Sequence, residues 1–434
     1  MKRVVSVFIM LALTIVVGAQ SPKAELKKNI RLSAGNLSVY PGPQQRKLTP
    51  APDGKKAFYI SHFGRHGSRH QTRVTDFEYV TNVLRRAQID DALSPLGADV
   101  LSRVTLMHQD TEHRIGELTR LGAQQHRDII RRMYDHFPMV FEKGTLVDAR
   151  STTAVRCVLS MNHAMMQLMK LNPDLKFYQD ATMTDRHYLT PSDKELQARC
   201  ATVETKDSYV AYCQKHERWR RVVDQLFNDT AYVNHNVNGE RLNYYLFRLA
   251  SGLQNTELSQ QMTLYDLFDD EDIYQNWLRD NAFWYLTYGA SSLNGGDQPF
   301  IARELLRTII HQADSCLHLH QNSVHLRFGH DTTLMPLVCL LGLDGYDLAT
   351  DNLEQLEKSG WLNYRIFPMA SNVQFVFYRK DVHDNDVVFK VLLNENEATL
   401  PIKTDMAPYY HWSDFRDYYL QRINAYEEEH AEAE

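Results

Sequence analysis

Arg65-His66-Gly67-Ser68-Arg69 places one imidazole between two guanidiniums in a single short loop. Arginine forms paired hydrogen bonds to phosphate or carboxylate oxygens, and two guanidiniums this close repel unless an anion lies between them. An anion is therefore the natural guest of this segment; the other reading is a surface loop with solvated arginines. His62, His66 and His70 also recur every fourth residue, a spacing that on a helix would share one face and could hold zinc. Gly64 and Gly67 fall inside that spacing and oppose a helix, so no metal site is expected here. A second cluster, Gly329-His330-Asp331-Thr332-Thr333, opens a helix-compatible run. Asp331 stands where a helix begins, which leaves N-capping open beside any chemical role. Arg156 lies in an amphipathic run, where a solvated arginine is the plain alternative.

These residues need elements to hold them. Residues 57–61 read as a short buried strand running directly into Gly64-Arg65-His66-Gly67, and paired glycines after an apolar strand signal close backbone approach to a ligand. Residues 74–86 and 118–137 carry helical periodicity, residues 144–148 a second strand, and residues 152–171 a Met-rich amphipathic helix. This βαβα rhythm predicts an α/β fold, a mostly parallel sheet with helices on both faces, whose ligands bind at the carboxyl ends of strands. Between about 175 and 300 strand-like runs vanish, and an inserted α-helical cap domain is expected. A helix over 299–316 returns the chain to a strand at 324–328 and a helix at 334–341; alternating runs at 372–378 and 387–393 close the fold. The expected divisions are a signal peptide at 1–19, an N-terminal lead-in at 20–56 that is an extended surface stretch over 35–56, core at 57–174, cap at 175–298, core at 299–425 and a disordered acidic tail at 426–434.

Composition narrows the class. With 434 residues, 43% apolar, and a formal charge of −6, the chain is an ordinary globular protein with no general basic surface for nucleic acid. Any positive charge must be gathered locally. Lys2 and Arg3, the apolar run 4–17 and the small-residue exit through Ala19 match a secretory signal, too short for a typical membrane span. Secretion or a periplasmic location is expected, with no stable membrane insertion after cleavage. Cys200 and Cys213 are close enough to bridge a loop, but five cysteines without a Cys-x-x-Cys pair read mainly as buried small side chains with at most one bridge.

The loop RHGSR resembles the RHGxR signature of the histidine phosphatase superfamily. Gly329-His330-Asp331-Thr332 resembles the distal His-Asp element of its acid phosphatase and phytase branch. Leu118-Thr119-Arg120-Leu121-Gly122 is similar to the LTxxG helix start of that branch, and residues 150–156, RSTTAVR, to its RSTxxxR segment. Near the end, Val391-Leu392-Leu393-Asn394-Glu395 resembles the multiple inositol-polyphosphate phosphatases. The resemblance implies a phosphoglycerate-mutase-like core, His66 as nucleophile, Arg65, Arg69, Arg156 and His330 as phosphate ligands, and Asp331 as proton donor. It implies no cofactor, because three arginines and a histidine neutralise the transferring group. Two departures stand out: Gln71 replaces a usual proline, and the distal element is His-Asp rather than His-Ala-Glu. The literal His430-Ala431-Glu432 in the tail is read as coincidence.

The expected partner is a small phosphate monoester. The leading reading is a secreted phosphomonoesterase acting on phytate or related inositol phosphates. A broad acid phosphatase is next, followed by a phosphomutase or a non-catalytic phosphate-binding module. Lys215, His216, Arg218, Arg220 and Arg221 form the densest basic run of the cap region and either meet further phosphates or line a solvated helix face.

Overall fold

The computed structural model describes residues 21–431 apart from residue 46. The expected signal lies outside these residues. Eight strands form one sheet: β1 Lys56–Arg65, β2 Leu146–Ser151, β3 Lys176–Asp180, β4 Ser323–Gly329, β5 Asn372–Arg379, β6 Val388–Leu393, β7 Asn396–Ala398 and β8 Tyr410–His411. Their order is β3-β2-β4-β1-β5-β6-β7, with β8 paired to β6. The chain thus adopts the expected α/β fold: β3, β2, β4 and β1 run parallel, and β5 to β8 add an antiparallel wing. β1 extends four residues beyond its apolar signal because His62 and Gly64 pair with Gln374 and Asn372 on β5, a polar stretch buried inside the sheet.

Each face of the sheet has its own core. On one face Ile130, Met133, Met161, Met165 and Leu168, from the helices Arg120–His136 and Val155–Leu171, pack on Val147, Val324 and Phe328. On the other face Leu305, Ile309, Leu334 and Val338 pack on Phe375 and Phe377. Burying both faces leaves β1 buried at every residue from Ala57 to Arg65.

The structure departs from the expectations at several points. β3 lies within 175–298, so the sheet reaches into the range assigned to the cap; its side chains are mostly exposed, which removed the apolar signal. The cap also recruits residues from before 174. Val80, Leu84, Val100 and Val104, on the helices Thr75–Ile89 and Pro95–Thr111, share a core with Val222, Leu242 and Leu246. The helix Pro95–Thr111 was not anticipated, although Ser94 caps it through Gly97 N and Pro95 opens it. The lead-in is extended only in part: described residues 38–55 carry no helix or strand, as expected, but Ile30–Leu37 forms 3-10 turns that bury residues 33–37, and Pro22–Lys28 is helical. The acidic tail is helical as far as Ala431, within Trp412–Ala431, because Phe415, Tyr419, Ile423 and Tyr426 give that helix a buried face.

Candidate active site

Three motifs far apart in sequence meet at the carboxyl ends of adjacent parallel strands. Arg65 ends β1 opposite Gly329 at the end of β4, and Ser151 ends β2 opposite Phe328. Backbone bonds continue the registration past the strands, from His66 N to Gly329 O at 2.9 Å and from Thr152 N to Phe328 O at 3.0 Å. Residues 65–69, 152–156 and 329–332 are thereby forced onto one rim, the usual ligand position of such sheets.

Glycines decide how closely these segments pack. A Cβ on Gly67 would lie 2.5 Å from the Gly122 carbonyl oxygen, and one on Gly122 would collide with the Ser68 backbone. The Leu118-Thr119-Arg120-Leu121-Gly122 segment is therefore a clamp on the first loop. Thr119 N donates to Ser68 O at 2.9 Å, and the Thr119 hydroxyl caps its own helix at Gly122 N. Ser68 N donates to Gln125 Oε1 and Ser68 Oγ to Asn255 Oδ1, at 2.8 and 2.7 Å. Gln71 ties the loop's exit to the cap by donating to Arg248 O at 3.1 Å. A side chain with a donor thus serves where a proline could only have set the backbone angle.

The six residues singled out above are brought together. His66 Nδ1 lies 2.9 Å from Gly67 O. A carbonyl only accepts, so Nδ1 carries the proton and Nε2 presents a lone pair. The His66 and His330 rings stand edge to face at 5.6 Å. Arg156 Nη2 is 3.3 Å from His330 Nδ1. A guanidinium only donates, so His330 holds its proton on Nε2, which donates to Thr152 Oγ1 at 3.3 Å. Arg65 is fully buried: Nη1 donates to the carbonyls of Asn36 at 2.5 Å and Phe367 at 2.8 Å, and Nη2 pairs with Asp331 Oδ2 at 2.6 Å. Arg69 Nη1 donates to His70 O at 3.0 Å. The Nε groups of Arg69 and Arg156 are buried without protein partners, which leaves donor capacity for an anion.

Charge follows from this crowding. Burial, then Arg65, Arg156 and Arg69, push His66 well below its usual range. Burial and Arg156 bring His330 down to about 4, and burial and Arg65 bring Arg69 to about 9. Burial alone would raise the Asp331 carboxyl, but Arg65, the Asn36 amide and Arg69 outweigh it and hold it at about 2. Two neutral imidazoles and three guanidiniums thus face a single carboxylate, an arrangement short of negative charge and suited to a dianion.

Asp331 is the first residue of the helix Asp331–Leu341 rather than its N-cap, which is His330. The histidines of the metal alternative diverge: His62 packs on Phe328 inside the sheet, His66 faces the rim, and His70 lies 3.8 Å from Asp110. No cluster of His, Cys, Asp or Glu suited to a metal occurs among the described residues. The basic run of the cap is claimed by acids: Lys215 and His216 by Glu354, Arg218 and Arg221 by Asp269 and Asp272. Asn394 and Glu395 turn the chain between β6 and β7. Glu395 accepts from Arg132 at 2.7 Å and Tyr40 at 2.8 Å, which ties this turn to the helix Arg120–His136 and to the lead-in. His430 lies on the last helix, 3.3 Å from Asp297, apart from the rim. All five cysteines are buried free thiols, Cys200 and Cys213 included.

Sequence reasoning missed Asn36. Its side-chain amide donates to Asp331 Oδ2 at 2.9 Å, and its carbonyl accepts from Arg65. Its one sequence signal was the neighbouring Gly35, which has φ of +55°. A glycine in the left-handed region within a lead-in marks a forced backbone path.

Fold and site together define a phosphate-handling α/β protein with its functional rim at the sheet's carboxyl edge. The family model described as histidine phosphatase superfamily (branch 2) matches residues 64–394, and the chain belongs to that family; it is a histidine-type phosphatase. Solved structures share the fold. The Bifidobacterium longum multiple inositol polyphosphate phosphatase in complex with inositol hexasulfate is 16% identical with TM-score 0.74, covering 88% of this chain and 96% of that one. The phytase from D. castellii is 16% identical with TM-score 0.66 over 95% of this chain and 90% of that one. Hafnia alvei phytase in its apo form is 14% identical with TM-score 0.51 over 86% and 98%. No helix of the described residues is long and apolar enough to cross a membrane.

Proposed function

We propose that this phosphatase hydrolyses phosphate monoesters, inositol polyphosphates foremost, through a phosphohistidine at His66, and that it is exported by its N-terminal leader. The observation that carries the reading is the His66 tautomer: a lone pair on Nε2 beside three guanidiniums and a neutral His330. Nε2 attacks phosphorus while the ester P–O bond breaks, which divides one difficult displacement into two. Arg65, Arg69, Arg156 and His330 receive charge on the equatorial oxygens. The leaving alkoxide takes a proton from Asp331. In the resting site Asp331 is ionised; the entering phosphate competes for Arg65 and raises the carboxyl's proton affinity, and Asp331 takes up a proton from the monoanionic ester or from solvent before the P–O bond breaks. Water then attacks the phosphohistidine, delivers its proton to Asp331 and frees phosphate. Support for inositol phosphates comes from the fold shared with phytases and an inositol polyphosphate phosphatase, together with the Asn394-Glu395 turn.

The test is acid-sparing quench of labelled substrate, combined with phosphate release from phytate and from nitrophenyl phosphate. Wild type should carry label and His66→Ala none, with turnover abolished. A fully active His66→Ala would overturn the mechanism, and hydrolysis of nitrophenyl phosphate alone would reject inositol phosphates as substrates.

A further inference from the structure

The segment Ile30–Leu37 lies outside the matched residues 64–394, yet it is stitched to the rim on three sides. Gly35 passes so close to the wall behind it that a Cβ would lie 2.5 Å from both Asn363 Nδ2 and Asp280 Oδ2. That wall is itself fixed: Asn363 donates to Asp280 at 2.8 Å and accepts from Trp277 Nε1 at 3.0 Å. On the other flank, Leu37 O accepts from Asn255 Nδ2 at 2.8 Å, and Asn255 accepts from Ser68 of the first loop. Asn36, between these anchors, is 9% exposed and lines a cavity of about 300 Å³ that opens toward Arg248 and Trp284.

The carboxyl group of Asp331 has three partners. Oδ2 forms an ion pair with Arg65 Nη2 at 2.6 Å and accepts from Asn36 Nδ2 at 2.9 Å, and Oδ1 accepts from Thr332 N at 3.0 Å. These partners respond differently to a proton. A guanidinium favours the carboxylate alone, whereas a neutral amide donor is satisfied by a carboxylate oxygen or by the carbonyl oxygen of the neutral acid. An Asn36 amide on Oδ2 is compatible with both states only while the proton rides on Oδ1.

We infer that Asn36 is a positioning residue for the acid: it holds Asp331 in one orientation through both protonation states and assigns the transferable proton to Oδ1. This rests on the reading of Asp331 as proton donor. The other ionisable groups around Asp331 are Arg65 and Arg69, His330 with Arg156 behind it, Cys157 and Tyr288. All of them remain in the variants proposed here.

The experiment compares single-turnover phosphorylation by an alkyl phosphate and by nitrophenyl phosphate in the full chain. Asn36→Leu removes the donor but keeps the main-chain carbonyl that holds Arg65. It should slow the alkyl ester ~10- to 100-fold, part of the span available to positioned acid catalysis. Nitrophenyl phosphate, whose leaving group needs no proton, should slow less than threefold, and tungstate inhibition should be unchanged. Asn36→Asp is a donor only when protonated, so its alkyl-ester rate relative to wild type should recover as pH falls, whereas that of Asn36→Leu relative to wild type should stay constant. Equal slowing of both esters, or an Asn36→Asp profile parallel to wild type, would overturn the inference. Trapping label at His66 in each variant keeps this outcome separate from failure of the phosphohistidine reading, which would also remove label from wild type.

Discussion

Residues 65–69 and 215–221 are two dense basic stretches of this chain, and in sequence they look alike. In the first, Arg65, Arg69 and, by folding, Arg156 gather around His66, only Arg65 pairs with a carboxylate, Asp331, and two imidazoles are kept neutral. In the second, Arg218 and Arg221 share Asp269 and Asp272, Lys215 and His216 share Glu354, and Arg220 stacks on Trp219 at 4.5 Å. An anion site needs positive charge left unpaired and sheltered from water; a quenched ion-pair network has none to offer, however basic its sequence. Density of basic residues is therefore a poor guide, and the local excess over acids is the useful one.

The contrast can be broken or sharpened by measurement. The largest effect is expected at the single acid of the first cluster. Asp331→Asn should slow phosphorylation by inositol phosphates ~10²–10⁴-fold, the span of positioned acid catalysis, and slow nitrophenyl phosphate far less. Equal slowing of both would move the acid role elsewhere. Arg156→Ala should come next, with kcat/KM reduced ~10²–10³-fold, as for loss of one preorganised charge. Because Arg156 has no carboxylate partner, its thermal midpoint should hold or rise. A fall in stability as large as the fall in activity would mean that Arg156 is structural.

Acidification supplies the third measurement. The fold keeps His66 and His330 neutral while the unfolded chain protonates them near ~6.5. Their contribution to stability is complete above that pH and is lost as pH falls, toward about 4 for His330. Asp331 acts in the same direction lower down, losing its contribution as pH falls toward about 2. The thermal midpoint should therefore drop between pH 7 and 4. Burial also holds His62, His126 and His325 down to about 3 away from the rim, so part of the drop is independent of tungstate. Tungstate should shrink the part due to His66 and His330 by stabilising their protonated forms, and a drop that tungstate leaves wholly unchanged would remove these two from the sensitive groups.

The smallest effect is expected in the second cluster. Arg221→Ala should change kcat/KM less than threefold. It should cost ~1 kcal/mol of stability, a modest figure because the arginine is 40% exposed and solvent screens the pair. A tenfold rise in KM for phytate alone would restore residues 215–221 to the substrate site.

The sequence by itself determined the strand-loop and loop-helix segments around His66 and His330, because each is local: an apolar strand followed at once by glycine and charge. It also determined the sheet class, since periodicity and burial on both faces are written residue by residue. Tertiary structure alone decided what surrounds them. The helices Thr75–Ile89 and Pro95–Thr111 joined the cap because their apolar faces found partners more than a hundred residues away, at Val222, Leu242 and Leu246. β3 joined the sheet through backbone bonds to β2, which leave no hydropathy signature when the side chains are exposed. Asn36 reached Asp331 across 295 residues because Gly35 could take a left-handed turn against Asp280 and Asn363. A hydrogen-bond partner at such separation is specified by the packing of two cores and a rim. No window of sequence around Asn36 contains that information.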